Sequence, residues 1–385
     1  MLEVCPKEIC TGCSACCNVC PKSSISMEYD SDGSLYPKIN QKTCVECGLC
    51  QKVCAAKNNS WFHKPIEVYA AWAKDENERK TSSSGGAAAV FSKKILENEG
   101  VIFGAVFDKN NELHHTLVKK ADDIKKMKGS KYVQSKIDDT YKQTKEQLQL
   151  NKKVIFFGTP CQIDGLIHYL GKDYSNLITV DLICHGTPSP KYLEEHIAHI
   201  ENKIGKKAKK VTFRGENDFS FTLYDAEDKV IYKVFRDYDT YFKGFLEGLF
   251  YRQNCYKCKY ARKERVADIT IGDFWGLGDE KEFSGDKSNG VSVIILNTDK
   301  GKDFFESCKS LFKFEKRTLE EAVKGNHNLR KPTLLHEKYE LFKENYSQYG
   351  FEKAVKKCMG NKIFLIGNIR STLGKIKRMI TKNTF

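Results

Sequence analysis

The sequence predicts an α/β protein with α+β character in its second half, preceded by a small cysteine-rich module. Three observations lead to this expectation. Ten of the 16 cysteines fall within the first 54 residues. Strand-like and helix-like segments alternate from residue 67 onward, and shorter alternating strands follow residue 204. A chain of 385 residues is long enough for a small module and one larger domain.

The cysteines of the module form an internal repeat. Residues 10–20 carry the run C-x2-C-x2-C-x3-C, and residues 44–54 repeat its spacing. This run is typical of bacterial ferredoxins with two 4Fe-4S clusters, in which the fourth ligand of each cluster comes from the other run. We therefore expect a two-cluster ferredoxin-like domain over residues 1–58. The expected ligands are Cys10, Cys13, Cys16 and Cys54 for one cluster and Cys20, Cys44, Cys47 and Cys50 for the other.

Two other uses of these cysteines fit the pattern less well. Disulfide scaffolds are typical of short secreted chains, and the N-terminus has no signal-peptide pattern. Zinc sites pair two CxxC units or include histidine, whereas this repeat has three-plus-one spacing. Because iron ligation needs free thiols, we expect a reducing compartment and a cytoplasmic protein.

A linker is expected at residues 59–66, followed by a domain built from βαβ units. Alternating strands and helices predict an open, largely parallel sheet, and Ser189 is expected to cap a helix that begins at Pro190. Strands are expected at 67–75, 101–107, 154–158 and 177–184, and a first helix at 86–100.

Four further cysteines lie in motif-like surroundings. Cys161 and Cys184 each follow a predicted buried strand, where open α/β sheets collect their ligands, and Cys255 and Cys258 form a CxxC pair. Four thiols match the ligand number of one more cubane cluster. Structural zinc and unrelated buried thiols are the alternatives, and spacing alone does not choose among them.

The net charge of +14 would suit a nucleic-acid-binding protein, but it counts every cysteine as neutral. Each four-thiolate cluster carries about −2, so three clusters would leave about +8. Residues 351–385 contain nine Lys and Arg and one Glu, so much of the remaining positive charge belongs to this one segment. We expect no nucleic-acid partner.

Residues 346–385 are expected to form a basic amphipathic tail. Such a helix could lie on an anionic membrane surface, although packing against its own domain or a partner is favoured about two to one. Its apolar positions are Ile366, Ile369, Leu373, Ile376 and Ile380.

Five motifs together resemble the family of coenzyme F420 hydrogenase/dehydrogenase beta subunits, with its N-terminal ferredoxin fusion. They are SSSGGAAAVF, GSKYVQS, GTPCQIDGL, DLICHGTPSP and CYKCKYARKERVADITIGDFWG. The resemblance implies that residues 67–150 and 151–345 are two parts of a larger α/β flavin-binding domain that holds FAD. It also implies that Cys161, Cys184, Cys255 and Cys258 ligate a third 4Fe-4S cluster.

The resemblance also implies a flavin site. No G-x-G-x-x-G follows a predicted strand, so NAD is not expected. The small and hydroxyl residues before the first helix suit a pyrophosphate, with an N-cap followed by packing residues as the alternative. Lys131 is expected to balance phosphate or reduced-flavin charge, and Tyr132 to stack on a ring. The expected flavin-binding residues are Ser83, Ser84, Gly85, Gly86, Ser130, Lys131, Tyr132, Gly158, Thr159, Pro160 and Asp181.

The implied function is that of an iron-sulfur flavoprotein oxidoreductase, which relays single electrons to or from FAD and exchanges two electrons with a small molecule. Coenzyme F420 or another electron-poor acceptor would be that substrate. His185 is the expected proton donor, with Lys131 as a second catalytic candidate, and a purely structural His185 is an equally good interpretation. The alternatives are a non-catalytic subunit that docks to a redox partner protein or ferredoxin, and an iron-sulfur redox sensor, for which the sequence offers no nucleic-acid-binding element.

Overall fold

The computed structural model describes residues 3–31, 33–215 and 218–360. The strands are β1 (Ile25–Tyr29), β2 (Leu35–Ile39), β3 (Glu67–Ala73), β4 (Val101–Phe107), β5 (Leu113–Val118), β6 (Val154–Gly158), β7 (Leu177–Leu182), β8 (Lys210–Thr212), β9 (Ser220–Tyr224), β10 (Val230–Phe235), β11 (Ile269–Asp273), β12 (Ser292–Leu296) and β13 (Phe312–Arg317). The α-helices are α1 (Ala15–Val19), α2 (Leu49–Lys52), α3 (Glu76–Lys80), α4 (Ala87–Glu97), α5 (Ile124–Met127), α6 (Thr140–Gln149), α7 (Pro160–Leu170), α8 (Pro190–Ile204), α9 (Thr240–Leu246), α10 (Asp299–Cys308), α11 (Leu319–Gly325), α12 (Tyr339–Tyr349) and α13 (Phe351–Met359).

The main sheet has eight strands in the order β13-β3-β12-β11-β7-β6-β4-β5. The α/β class is confirmed, but the expectation of a largely parallel sheet is wrong, because only the strands from β4 through β6 and β7 to β11 run parallel. The loops that join β4 to β5 and β11 to β12 contain no α-helix, and such connections produce antiparallel neighbours, whereas parallel neighbours need a crossover.

Alternate residues of the central strands face two helical layers. Ile102 and Ile155 pack in one core cluster with residues of α4 and α10, whereas Phe103 and Phe156 pack in another with residues of α6 and α7. This alternation is the period-two pattern of a strand buried on both faces. The carboxyl ends of β6 and β7 therefore open between two packed layers.

The second half of the chain divides between two sheets. The predicted short strands β8, β9 and β10 form a separate antiparallel sheet, while β11, β12 and β13 return to the main sheet. The predicted helix start is confirmed, since the Ser189 hydroxyl accepts a hydrogen bond from the Lys191 N–H at the first turn of α8.

The predicted linker is tied to the larger domain. The Ser60 hydroxyl donates a hydrogen bond to the Asp164 carboxylate, and His63 exchanges two backbone hydrogen bonds with Arg265. The cysteine module also touches that domain directly, because Asn18 donates a side-chain hydrogen bond to the Asp138 carbonyl at 2.7 Å.

Only the first part of the predicted tail lies within the described residues. There α13 packs Phe351, Ala354 and Val355 into the aromatic core formed with α8 and α9. The apolar positions from Ile366 to Ile380 lie outside the described residues. None of the helices in the described ranges has the length and apolar character needed to span a bilayer.

A buried charge network fixes α13 to this core. The His196 imidazole lies 3.1 Å from the Asp239 carboxylate and also bonds Glu352 of α13. Despite the opposing effect of burial, the two carboxylates raise the pKa of His196 to about 10. Despite burial, His196 likewise lowers the pKa of Glu352, to about 2. The network is therefore charged across the neutral range.

Replacing His196 with glutamine should lower the free energy of unfolding by about 3–5 kcal/mol near pH 6, because two buried carboxylates lose their cation. The contribution of His196 is complete below its unfolded pKa of about 6.5 and is lost as pH rises toward the folded pKa of about 10. Urea unfolding at pH 6 and pH 9 should therefore show a smaller difference from wild type at pH 9. His199→Gln, at an exposed position on α8, is the control, and an equal loss in both variants would contradict the expectation.

Candidate functional site

Two small cavities lie inside the N-terminal module, each of about 20 Å³. One is lined by Cys10, Cys13, Cys16 and Cys54, and the other by Cys20, Cys44, Cys47 and Cys50. The structure thus brings together the two sets of four that the repeat predicts, which we call the inner set and the outer set. Within the described residues, no group of three or more His, Cys, Asp or Glu side chains is arranged to hold a single metal ion.

The inner and outer sets differ in exposure. All four inner cysteines are buried, and Cys5 lines the same cavity. In the outer set Cys47 is exposed, and its neighbours Val45 and Leu49 are exposed apolar residues that also line the cavity. The outer set therefore faces solvent, while the inner set faces the larger domain.

Four more thiols come together in the larger domain, and we call Cys161, Cys184, Cys255 and Cys258 the domain set. Cys161 lies at the start of α7 just after β6, and Cys184 follows β7. Burial raises the pKa of Cys161 well above its usual range, and the other three thiols lie close enough to raise it further. Such thiols stay protonated unless a metal displaces their protons.

Helix α7 connects the domain set to the inner set. A Cβ at Gly165 would lie only 2.8 Å from the Cys13 sulfur, so the helix that begins beside Cys161 packs directly against the module. Cys161 and Cys258 also pack against the apolar cluster that contains Cys13. The inner and domain sets are therefore neighbours across a packed contact.

A cavity of about 300 Å³ borders the domain set at Cys161. We call it the main cavity. Three predicted segments line it: the loop before α4, the loop after α5 and the turn after β6. The predicted flavin-binding residues in its lining are Ser83, Ser84, Gly86, Ser130, Lys131, Gly158 and Thr159. Gly85, Tyr132, Pro160 and Asp181 are not in the lining.

The loop before α4 has features that suit a phosphate group. The hydroxyls of Ser83 and Ser84 are buried and have no hydrogen-bond partner in the structure. Gly86 has φ +87° and precedes the N-terminus of α4, an 11-residue helix whose first N–H groups favour anions. A buried hydroxyl without a partner is costly, so these two side chains fit a bound polar ligand.

Lys131 and Tyr132 have other partners than those expected. The Lys131 ammonium donates hydrogen bonds to the carbonyls of Met127, Lys128 and Gly129, and burial lowers its pKa to about 7. Tyr132 stacks on Phe245 at 4.5 Å between ring centroids, so its ring packs against the aromatic core.

His185 and Asp181 are not in the lining of the main cavity. The atoms packed around the His185 imidazole, together with His327, lower its pKa to about 4, so the ring is neutral at pH 7. Asp181 is buried and accepts a hydrogen bond from Arg265 at 3.1 Å, although burial raises its pKa. Asp181 and Arg265 thus form a buried ion pair at the end of β7.

The sequence reasoning missed a polar wall of the main cavity. His115 lies on β5, with its ring nitrogens 2.8 Å from the Ser135 hydroxyl and 2.9 Å from the Phe157 carbonyl, and Gln162 donates to the same hydroxyl at 3.0 Å. Burial lowers the pKa of His115 to about 4, so it is neutral. The sequence feature that could have indicated this wall is a histidine, His115, at an inward-facing position of a strand.

A second cavity, of about 490 Å³, shares Ser82, Ser83 and Asp273 with the first. Arg214 lines it, stacks over Phe219 at 4.6 Å and makes a two-point ion pair with Asp273. The partner of Asp273 thus comes from the segment after β8. The two cavities adjoin at the loop before α4, which we call the serine loop, and together we call them the cleft.

Comparison with known proteins places this geometry in context. Two profiles describe the N-terminal and C-terminal parts of the coenzyme F420 hydrogenase/dehydrogenase beta subunit, and they match residues 68–141 and 151–322. A profile described as a 4Fe-4S dicluster domain matches residues 9–58.

Two curated relatives are similar to parts of this chain. The coenzyme F420-dependent sulfite reductase of Methanocaldococcus jannaschii is 24% identical over 322 residues, which are 78% of this chain and 46% of that protein. A component of the F(420)H(2) dehydrogenase of Methanosarcina mazei is 25% identical over 170 residues, 42% of this chain and 48% of that protein. The chain thus spans about half the length of these relatives.

One solved structure is similar over most of the chain. It is a chain of the F420-reducing NiFe hydrogenase complex from Methanosarcina barkeri, with a TM-score of 0.45 and 19% identity. The likeness covers 80% of this chain and 96% of that one.

Proposed function

Because the chain belongs to the family of coenzyme F420 hydrogenase/dehydrogenase beta subunits, we propose that it is an iron-sulfur flavoprotein oxidoreductase. In this proposal the chain relays single electrons through 4Fe-4S clusters to or from FAD and exchanges two electrons with a small-molecule substrate. One observation carries the proposal: a single cavity is bounded by the unpartnered hydroxyls of Ser83 and Ser84 and by Cys161 of the domain set.

The lining of the main cavity contains groups that suit the phosphates of FAD and a titratable side chain. Ser83, Ser84 and the N-terminus of α4 would bind the pyrophosphate. Bound FAD would supply the change from one-electron to two-electron chemistry. Lys131 is the candidate to hold or release a proton here, because its pKa of about 7 lies close to neutral pH.

A third cluster is proposed on the domain set. Its four thiols come from three segments that meet at the carboxyl ends of β6 and β7, where open α/β sheets bind their ligands. Packing then orders the three sets: Cys47 of the outer set is exposed, Cys13 of the inner set packs against α7, and Cys161 of the domain set lines the main cavity. Twelve cysteines kept free for iron suit a reducing compartment such as the cytoplasm.

The outer set suits docking of a redox partner protein, and this observation favours the second candidate function, a non-catalytic electron-transfer subunit. Val45 is 58% exposed beside Cys47. Lys22 lines the same cavity and is exposed, as are Lys42 and Lys52 near it in the sequence, against one exposed acidic neighbour, Glu46. This excess of positive charge fits an acidic one-electron carrier, whose association it would steer.

Anaerobic purification, followed by measurement of iron, sulfide and released flavin per chain, tests the proposal. About twelve irons and one FAD are expected from three cubane clusters and one flavin. About eight irons without flavin would reduce the chain to an electron-transfer subunit, and the catalytic proposal would fall. Reduction of coenzyme F420 and of other electron-poor acceptors by the loaded protein would then identify the substrate.

A further inference from the structure

Arg252 is a buried cation at the contact between the module and the larger domain. Its side chain is among the largest fully buried ones, and the residue is 2% exposed. Its Nε donates to the Cys10 carbonyl at 2.8 Å and its Nη1 to the Leu35 carbonyl at 2.6 Å, so a residue of the larger domain is anchored inside the module. The guanidinium also lies over the Tyr36 ring at 4.3 Å.

This cation has no acidic partner among the described residues. No carboxylate there lies within 4.0 Å of the guanidinium, and Nη2 is buried without a hydrogen-bond partner. Two other arginines with fully buried side chains, Arg265 and Arg317, each pair with a carboxylate. A buried charge without a counter-charge is destabilising, so negative charge next to Arg252 would stabilise the fold.

The two cysteine sets on either side of Arg252 can supply that charge. In the inner set, the Cys10 carbonyl accepts the hydrogen bond from Arg252 Nε. In the domain set, the Cys255 N–H donates a hydrogen bond to the Arg252 carbonyl at 2.9 Å. Arg252 therefore contacts both sets.

We propose that Arg252 is a fixed positive charge shared by the clusters of the inner and domain sets, and that it stabilises their reduced states. The inference rests on the proposed function, since it needs both clusters. Each cluster gains one electron, delivered by the redox partner, and becomes more negative, and a nearby cation lowers the free energy of that state. Arg252 therefore acts through its charge and raises the midpoint potentials of both clusters on the path to the flavin.

The test is a redox titration of the inner and domain clusters, followed by electron paramagnetic resonance, in Arg252→Gln and Arg252→Lys. The glutamine variant should lower both midpoint potentials by the equivalent of a tenfold change in the reduced-to-oxidised ratio, which is about 59 mV for one electron. The lysine variant should stay close to wild type, because it keeps the charge. The outer cluster should not shift in either variant.

Arg317→Gln is the matched control, since the Arg317 side chain is also buried and bonds two carbonyls, at Lys281 and Glu282, away from any of the three sets. Unchanged potentials in a fully loaded Arg252→Gln protein would overturn the inference. If Arg252→Gln does not assemble its clusters, the result for Arg252→Lys decides. Wild-type potentials in the lysine variant would support the proposed role of the positive charge. Loss of the clusters in the lysine variant as well would show that Arg252 only holds the module in place, and would overturn the inference. If wild type contained about twelve irons but the midpoint potentials of the variants did not shift, only this inference would be contradicted. If wild type contained about eight irons, the proposed function itself would be contradicted.

Discussion

Replacing Cys161 with alanine is expected to lower the iron content from about twelve to about eight per chain, because one cubane cluster would lose a ligand. It should also stop reduction of the flavin by the remaining clusters, since Cys161 both belongs to the domain set and lines the main cavity. Iron analysis would measure the first effect. Anaerobic stopped-flow absorbance after mixing with a one-electron donor would measure the second.

Cys308→Ala provides the control for Cys161→Ala. Cys308 is fully buried in α10, and its thiol donates only to the carbonyls of Phe304 and Phe305. The same change there should leave about twelve irons, because this cysteine belongs to none of the three sets. If Cys161→Ala kept its full iron content while still binding FAD, the third cluster would have to be assigned to other ligands.

The sequence predicted the site best where the cluster ligands lie close together along the chain. Cys10, Cys13 and Cys16 are separated by two residues each, so one loop must present all three, and the repeat extends that reasoning to the outer set. The domain set is different, because 97 residues separate Cys161 from Cys258 and no local pattern joins them. Their convergence depends on β6 and β7 being parallel neighbours in the sheet.

Single residues inside the motifs were harder to assign. Ser83 and Ser84 line the main cavity, whereas Tyr132, from an equally motif-like segment, turns into the aromatic core beside Phe245. Which way a loop residue points depends on packing against distant elements, and local sequence carries little information on that. The contacts of Arg252 could not be predicted for the same reason, since its partners Cys10 and Leu35 lie more than 200 residues away in the sequence.

Gly85→Ala should abolish FAD binding by distorting the serine loop. An added Cβ at this position would lie 2.3 Å from the Ala71 carbonyl oxygen and 2.6 Å from the Ser292 nitrogen, both backbone atoms of adjacent strands in the main sheet. Since neither strand can move freely, the loop must shift and carry Ser83 and Ser84 away from the cavity. Overpacking of this kind costs about 1–3 kcal/mol, so the melting temperature should also fall by several degrees.

Two companion variants separate the geometry of the loop from general destabilisation. Gly301→Ala would place its Cβ 2.4 Å from the Asp268 carbonyl oxygen, a comparable backbone clash outside the cavity lining, and should lower the melting temperature while FAD stays bound. Ser84→Ala adds no atom and should weaken FAD binding only about tenfold, the loss expected for one hydrogen bond to a charged group. FAD content in the purified proteins and titration of the flavin-free proteins would measure these effects. If Gly85→Ala bound FAD as tightly as Gly301→Ala does, the serine loop could not be the pyrophosphate site, and the flavin would have to be sought elsewhere in the cleft.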